Sequence, residues 1–128
     1  MSDAYLPVMI AALIPLFLAG LAKAGGLRSG VRYDNASPRE SLARLSGWPQ
    51  RANWAQQNSW EAFPVFAVAV LVALQSGVEP GIVARWGWIF IVLRGAYIVC
   101  YLLGFASLRS LCWVAGFAVC LGLMARIF

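Results

Sequence analysis

Four long apolar stretches occupy most of this 128-residue chain and limit what it can fold into. They cover residues 5–22, 62–74, 86–103 and 111–125, and only 12% of all residues are charged. A helix crosses a bilayer with about 20 mainly apolar residues, and it satisfies its own backbone hydrogen bonds there. The pattern predicts an all-α integral membrane protein, a four-helix bundle forming one transmembrane domain over residues 1–128. Its helices are expected at about 4–23, 49–76, 82–104 and 108–126, with a loop at 25–48.

The N-terminal stretch is predicted to be the first spanning helix and not a signal peptide. A signal peptide begins with a basic segment and ends in a small-residue cleavage site. This chain carries Asp3 before its first apolar run and has neither of those features.

The basic residues are concentrated at one end of the expected bundle. The first connection, 25–48, is rich in them, whereas the second connection contains only Glu79 and the third contains Arg109. Short loops rich in Lys and Arg stay in the cytoplasm. We therefore expect the first and third connections inside, both termini outside, and no nucleic-acid partner despite the net charge of +5. The basic residues in or beside the first connection are Lys23, Arg28, Arg32, Arg39, Arg44 and Arg51.

The first connection also contains a candidate helix start. Ser37 precedes Pro38, and Glu40 follows three residues after the serine. This order is typical of a helix N-terminus and predicts a short interfacial helix that ends near Leu45. The glycine pair 25–26 in front of it is expected to form a turn.

The second apolar stretch is preceded by polar residues that must enter the membrane with it. Residues 62–74 are too short to span a bilayer, so the helix has to include the segment before them. Helical spacing places Arg51, Asn58 and Glu61 close to one face of that helix. Lipid solvates such a polar face poorly. We therefore expect the face to be buried between subunits, which predicts an oligomer.

A basic residue, Arg94, interrupts the third apolar stretch, and Tyr97 and Tyr101 follow on the same face. A charge inside the membrane is costly and needs a partner or water. Glu61 lies about 16 residues before the connecting turn and Arg94 about 15 after it, which gives nearly equal depths at the helical rise per residue. We therefore predict an ion pair between Glu61 and Arg94. One interpretation is that this pair has only a structural role, which is to fix the register of the two helices.

More polar side chains converge on this region than one ion pair requires. Gln57, Arg109 and Ser110 are expected in the same cytoplasmic half of the bundle. Guanidinium groups bind carboxylates through paired hydrogen bonds. The set predicts a polar pocket with excess positive charge, suited to a small anionic ligand that carries amide and carboxylate groups.

The ordered set of polar residues resembles the MAPEG family, the membrane-associated proteins in eicosanoid and glutathione metabolism. The resemblance is to a bacterial-type member, extends over nearly the whole chain, and implies a location in the bacterial inner membrane. The residues that carry it are Arg51-Ala52, Asn58 and Glu61 in N-x-x-E spacing, Pro64 before an apolar run, Arg94 with Tyr97 and Tyr101, and Arg109-Ser110.

The resemblance implies a homotrimer of four-helix subunits that binds glutathione between subunits near the cytoplasmic face. By this resemblance, Asn58 and Glu61 hold the tripeptide, and Arg94 is the partner of that glutamate. Arg109 resembles the arginine that stabilises the thiolate, with the hydroxyl of Ser110 beside it. The remaining expected contacts are Arg51 at the pocket mouth, Tyr97 where some relatives have histidine, and Tyr101.

The function implied is that of a glutathione transferase or peroxidase acting on lipophilic electrophiles, with glutathione as cosubstrate and no metal. Two positions depart from the family pattern. Gln57 stands where some relatives have a basic residue, and Trp113 stands where a ligand-contacting tyrosine is found. Catalysis is therefore left open, and the alternatives are a non-catalytic membrane scaffold and a small four-helix transporter.

Overall fold

The computed structural model describes residues 3–128, and every regular element in that range is an α-helix. Residues 1 and 2 of the predicted 1–128 domain lie outside the described residues. All the helices except the short second one are long and apolar enough to cross a membrane. This confirms the predicted class, an all-α membrane four-helix bundle. The helices are α1 (Leu6–Arg28), α2 (Pro38–Ala43), α3 (Gly47–Gln75), α4 (Pro80–Leu103) and α5 (Ala106–Ala125).

The first helix is longer than the sequence indicated, because the expected turn at Gly25 and Gly26 is helical. The expected range was 4–23 with a loop from 25, whereas α1 continues through both glycines to Arg28. A β-carbon on Gly25 would meet the ring of Trp48, and one on Gly26 would meet Leu45. The two glycines therefore allow Leu45 and the first turn of α3 to pack directly on α1, which is a different use of glycine from a turn.

The connection between α1 and α3 contains the short helix α2, which begins at Pro38 and ends at Ala43. Ser37 occupies the position before it, but its side chain makes no capping hydrogen bond. The hydroxyl of Ser41 instead accepts a hydrogen bond from the backbone N–H of Asp34 at 2.9 Å. A serine inside the helix thus fixes the loop that precedes it.

The core lies where the four long helices meet, with α1 packed mainly on α3 and α4 mainly on α5. The rings of Phe66 and Phe90 stack between α3 and α4, with centroids 3.9 Å apart and planes 7° from parallel. Both side chains are buried. Lipid tails are as apolar as leucine, so close packing of this kind, and not exclusion from water, holds spanning helices together.

The end of α4 is shaped by Gly104, which has a φ of +83°. Only glycine adopts this left-handed conformation without strain, and it ends helices for that reason. The N–H of Phe105 then donates to the carbonyl of Cys100 at 2.8 Å, which closes the turn. Because α5 starts at Ala106, its first turn lies beside the last turn of α4.

Candidate functional site

A polar cleft of about 610 Å³ opens at the end of the bundle where α3 begins, α4 ends and α5 begins. Its walls combine acidic, basic, amide and aromatic side chains from these three helices. The lining residues are Trp54, Gln57, Asn58 and Glu61 from α3, Tyr97 and Tyr101 from α4, and Arg109, Ser110, Trp113 and Val114 from α5.

Most of the residues expected from the sequence to form a site are brought together in this cleft. The two that do not line it are Arg51 and Arg94, and each has a defined place elsewhere in the bundle. The expected residues that do line the cleft are Asn58, Glu61, Tyr97, Tyr101, Arg109 and Ser110.

Arg51 joins two walls of the cleft. Its Nε donates a hydrogen bond to the carbonyl of Leu102, in the last turn of α4, at 3.0 Å. The last carbonyls of a helix have no partner within the helix, and a cation there is favoured by the helix dipole. Arg51 therefore ties the start of α3 to the end of α4.

Arg94 lies beneath the cleft, with only 6% of its side chain exposed. Its Nη2 donates to Oδ1 of Asn58 at 2.6 Å and to Oγ of Ser59 at 3.2 Å. Both acceptors are neutral groups on α3, and the Ser59 hydroxyl in turn donates to the carbonyl of Ala55 at 2.7 Å. The buried cation is thus bound by neutral oxygens.

The predicted ion pair between Glu61 and Arg94 is wrong in its direct form. Within residues 3–128, Glu61 bonds to Asn58, whose Nδ2 donates to Oε2 of Glu61 at 3.3 Å. The amide can link the two because a guanidinium only donates and a carboxylate only accepts, so Oδ1 serves one and Nδ2 the other. Depth along the helices placed Glu61 and Arg94 at one level, but the rotation of α3 turns the glutamate toward the cleft, where it is exposed.

Two neighbouring tyrosine rings with an arginine at each end form a column that runs from the cleft to the buried Arg94. The guanidinium carbon of Arg109 lies 4.4 Å from the ring centroid of Tyr101, and that of Arg94 lies 4.2 Å from Tyr97. The two tyrosine rings meet edge to face, with centroids 5.6 Å apart. Cation–π contacts of this kind hold a guanidinium in place without neutralising its charge.

Arg109 is the cation that the cleft presents to a ligand. It is partly exposed, and no carboxylate among residues 3–128 forms an ion pair with it. Ser110, beside it, donates its hydroxyl to the carbonyl of Ala106 at 3.1 Å and keeps its oxygen lone pairs as acceptors. The cleft therefore offers a positive charge at one side and the exposed carboxylate of Glu61 at another.

Gln57 lines the cleft, in agreement with the polar pocket predicted from the sequence, whereas three lining residues were not among the expected site residues: Trp54, Trp113 and Val114. A signal for them existed in helical spacing, because Trp54 is four residues before Asn58 and Trp113 is four residues after Arg109. Trp54 also contacts Tyr101, with ring centroids 6.4 Å apart. Both tryptophans are typical of membrane interfaces, which hides their position in a site.

The fold and the cleft together define a multi-pass membrane protein with four spanning helices and a polar site at one end of the bundle. The sequence pattern of the MAPEG family matches residues 4–128, nearly the whole chain, and the protein belongs to that family. This confirms the resemblance seen in the sequence. Comparison with curated proteins and comparison with solved structures each give no match.

Proposed function

We propose that this protein binds glutathione in the polar cleft and uses it as cosubstrate of a transferase or peroxidase reaction on lipophilic electrophiles. The proposal rests mainly on the position and environment of Arg109. It is a cation without an acidic partner among the described residues, held over Tyr101 in a cleft that also contains carboxylate and amide groups. Family membership supports the same conclusion, because MAPEG proteins are those of eicosanoid and glutathione metabolism.

The groups of glutathione have complementary partners around the cleft. Its amino group is a donor for the exposed carboxylate of Glu61, which Asn58 holds in place. Its peptide groups match the amide of Gln57, which both donates and accepts. Its thiol would then lie toward Arg109 and Ser110 on α5, at the opposite wall.

The reaction requires glutathione to bind as a thiolate. A free thiol has a pKa near 8.5, so lowering that pKa by about one unit makes the sulfur substantially anionic at neutral pH. The shift corresponds to about 1.4 kcal/mol of differential stabilisation, which a fixed guanidinium in a partly dry site supplies. Arg109 therefore suffices as the activating group, and no histidine is needed.

The second substrate is proposed to enter from the bilayer. A smaller cavity of about 120 Å³ adjoins the cleft, and Glu61 and Trp113 line both. Its rim includes Val65 and Phe117, which are 37% and 43% exposed on the outer surface of the bundle. A lipophilic molecule could reach the thiolate through this opening without crossing water.

We further propose that the working form is a homotrimer in the bacterial inner membrane, with the cleft at the cytoplasmic end. The basic first connection supports this orientation, since short loops rich in Lys and Arg stay inside. The exposed position of Glu61 supports an oligomer, because a carboxylate on the side of a spanning helix is poorly solvated by lipid.

The test is to titrate the detergent-purified protein with glutathione and record the ultraviolet absorbance of the thiolate. The wild-type protein should show the thiolate signal at neutral pH, and Arg109→Ala should lose it. Arg85→Ala is the matched control, because Arg85 is exposed on α4 at the opposite end of the bundle. Absence of calorimetric binding at millimolar glutathione would refute the proposal.

The same preparation separates the enzyme from its alternatives. Conjugation or peroxide reduction that depends on Arg109 supports the transferase or peroxidase. Glutathione binding without turnover of any lipophilic electrophile would indicate a non-catalytic membrane protein that binds glutathione. Proton-coupled uptake into vesicles that depends on Glu61 would instead indicate a transporter.

A further inference from the structure

A second polar pocket adjoins the cleft, between α2 and the first turns of α3. Its volume is about 330 Å³, and Trp54 and Gln57 line both this pocket and the cleft. Arg39 is the only charged residue in its lining, to which α3 adds the amides of Gln50 and Asn53. A single cation accompanied by hydrogen-bond donors favours an anionic ligand with oxygen acceptors.

The side chain of Asn53 lies in this pocket without a partner of its own. It is only 7% exposed, and its amide makes no hydrogen bond within residues 3–128. Among the side chains in that range that are not exposed, only Nε of Arg94 is fully enclosed without a partner, so both polar atoms of the Asn53 amide keep an opening. Because Asn53 lines the pocket, that opening leads into it. A mostly buried amide without a partner is costly, and a ligand that accepts its hydrogen bond removes the cost.

Arg39 is available to bind the same ligand. It is exposed on α2, and it forms no hydrogen bond or ion pair with another residue of the described chain. No acidic side chain from residues 3–128 lines the pocket with it. The planar guanidinium group matches the two oxygens of a carboxylate. An exposed cation on α2 and a buried amide on α3 thus line one pocket.

Glutathione carries more negative charge than the cleft alone can match. At neutral pH the tripeptide has an ammonium group and carboxylates at both ends, and its bound sulfur adds a further anion. The charged residues of the cleft are Glu61 and Arg109, which the proposed function assigns to the ammonium and the thiolate. The γ-glutamyl carboxylate is bonded to the same carbon as the ammonium and stays beside that positive charge. The glycine carboxylate, at the other end of the tripeptide, has no cation in the cleft.

We propose that the pocket between α2 and α3 is the subsite for the glycine carboxylate of glutathione, in which Arg39 supplies the cation and the amide N–H of Asn53 donates a buried hydrogen bond. The inference rests on the proposed function, because it extends that site to the far end of the same ligand. Gln57 lines both spaces, so the tripeptide passes from one to the other beside it. The subsite makes the protein selective for a tripeptide with a free carboxylate at its C-terminus.

The test compares glutathione with the same tripeptide amidated at its glycine carboxylate, which has equal length and lacks only the charge. Detergent-purified wild-type protein should bind glutathione roughly fivefold more tightly in calorimetry, as for a partly exposed charge pair. Arg39→Gln should bind both ligands about equally. Arg32→Gln is the matched control, because Arg32 is exposed in the same connection and does not line the pocket, so its variant should keep the preference.

A second variant tests the buried amide. Asn53→Leu has a side chain of similar size without a donor, and it should lower the affinity for both ligands roughly three- to tenfold, since each offers a carbonyl or carboxylate oxygen. Its unfolding midpoint in detergent should equal or exceed that of the wild type, because the amide has no partner within residues 3–128 to lose. The thiolate signal at saturating ligand should persist in both pocket variants, since Arg109 lies in the cleft.

Equal affinity of the wild-type protein for the two ligands overturns the inference. A preference that survives Arg39→Gln, or one that Arg32→Gln also abolishes, overturns it as well, and so does an unchanged affinity in Asn53→Leu. If any of these results comes with a thiolate signal, the glutathione site stands and the glycine subsite alone is refuted. Absence of both the thiolate signal and calorimetric binding for either ligand refutes the proposed function and the subsite with it.

Discussion

Asn58 accepts the shortest hydrogen bond of Arg94, with 2.6 Å between its Oδ1 and Nη2 of the arginine. The same amide donates to Glu61, so a neutral side chain separates the two charges. This arrangement leaves the Glu61 carboxylate exposed in the cleft while the guanidinium stays buried. The side chain of Asn58 therefore forms the hydrogen-bonded link between the Glu61 carboxylate in the cleft and the buried guanidinium of Arg94.

Replacing Asn58 with alanine should destabilise the protein. The buried guanidinium of Arg94 would lose an acceptor, which costs about 1–3 kcal/mol or more because the donor is charged. Thermal unfolding in detergent should show a lower midpoint for Asn58→Ala than for the wild type. Asn35→Ala is the control, because Asn35 is exposed in the first connection and its variant should unfold like the wild type. Equal midpoints for both variants would contradict a structural role for the amide.

Double-mutant cycles should assign the coupling of Arg94 to Asn58 more than to Glu61. Combining Arg94→Gln with Asn58→Ala should give a coupling energy of about 1–3 kcal/mol, as for groups in one hydrogen-bond network. Combining Arg94→Gln with Glu61→Gln should give less, because no direct ion pair joins Glu61 to Arg94. The measurement is unfolding free energy in a mixed-micelle denaturant series, and a larger coupling for Glu61 would refute the order.

The ring of Tyr101 should matter to glutathione binding more than its hydroxyl. The ring lies under the Arg109 guanidinium at 4.4 Å, a contact worth about 0.5–1 kcal/mol at a partly exposed site. Tyr101→Phe should keep the affinity measured by calorimetry, whereas Tyr101→Leu should lower it about two- to fivefold. Tyr5→Leu, at the start of α1, is the control and should bind like the wild type. A loss in Tyr101→Phe equal to that in Tyr101→Leu would assign the effect to the hydroxyl instead.

Gly26 should be intolerant of even one added methyl group. A β-carbon there overlaps Leu45, and overpacking of this kind costs about 1–3 kcal/mol. Gly26→Ala should therefore lower the unfolding midpoint. Gly20→Ala, in the same helix with open space around the added carbon, should leave the midpoint unchanged or raise it, since alanine favours helix. If the two variants behave alike, Gly26 is not a packing site.

The sequence by itself determined the membrane architecture and the chemical types in the cleft. Bilayer thickness sets the length of a spanning helix, so apolar stretches in 128 residues can be converted directly into four spans. The short stretch at 62–74 similarly required its polar prefix to belong to α3, and that prefix contributes Asn58 and Glu61 to the cleft. These inferences depend only on distances along the chain, and those can be counted directly from the sequence.

The tertiary structure alone decided how those residues meet. Depth along two helices follows from counting residues, but the rotation of each helix about its axis depends on packing against its neighbours. That rotation directs Arg94 to Asn58 and Ser59 instead of Glu61, and it sends Arg51 to the carbonyl of Leu102. The extension of α1 through Gly25 has the same origin, since only the approach of a distant tryptophan distinguishes a packing glycine from a turn glycine.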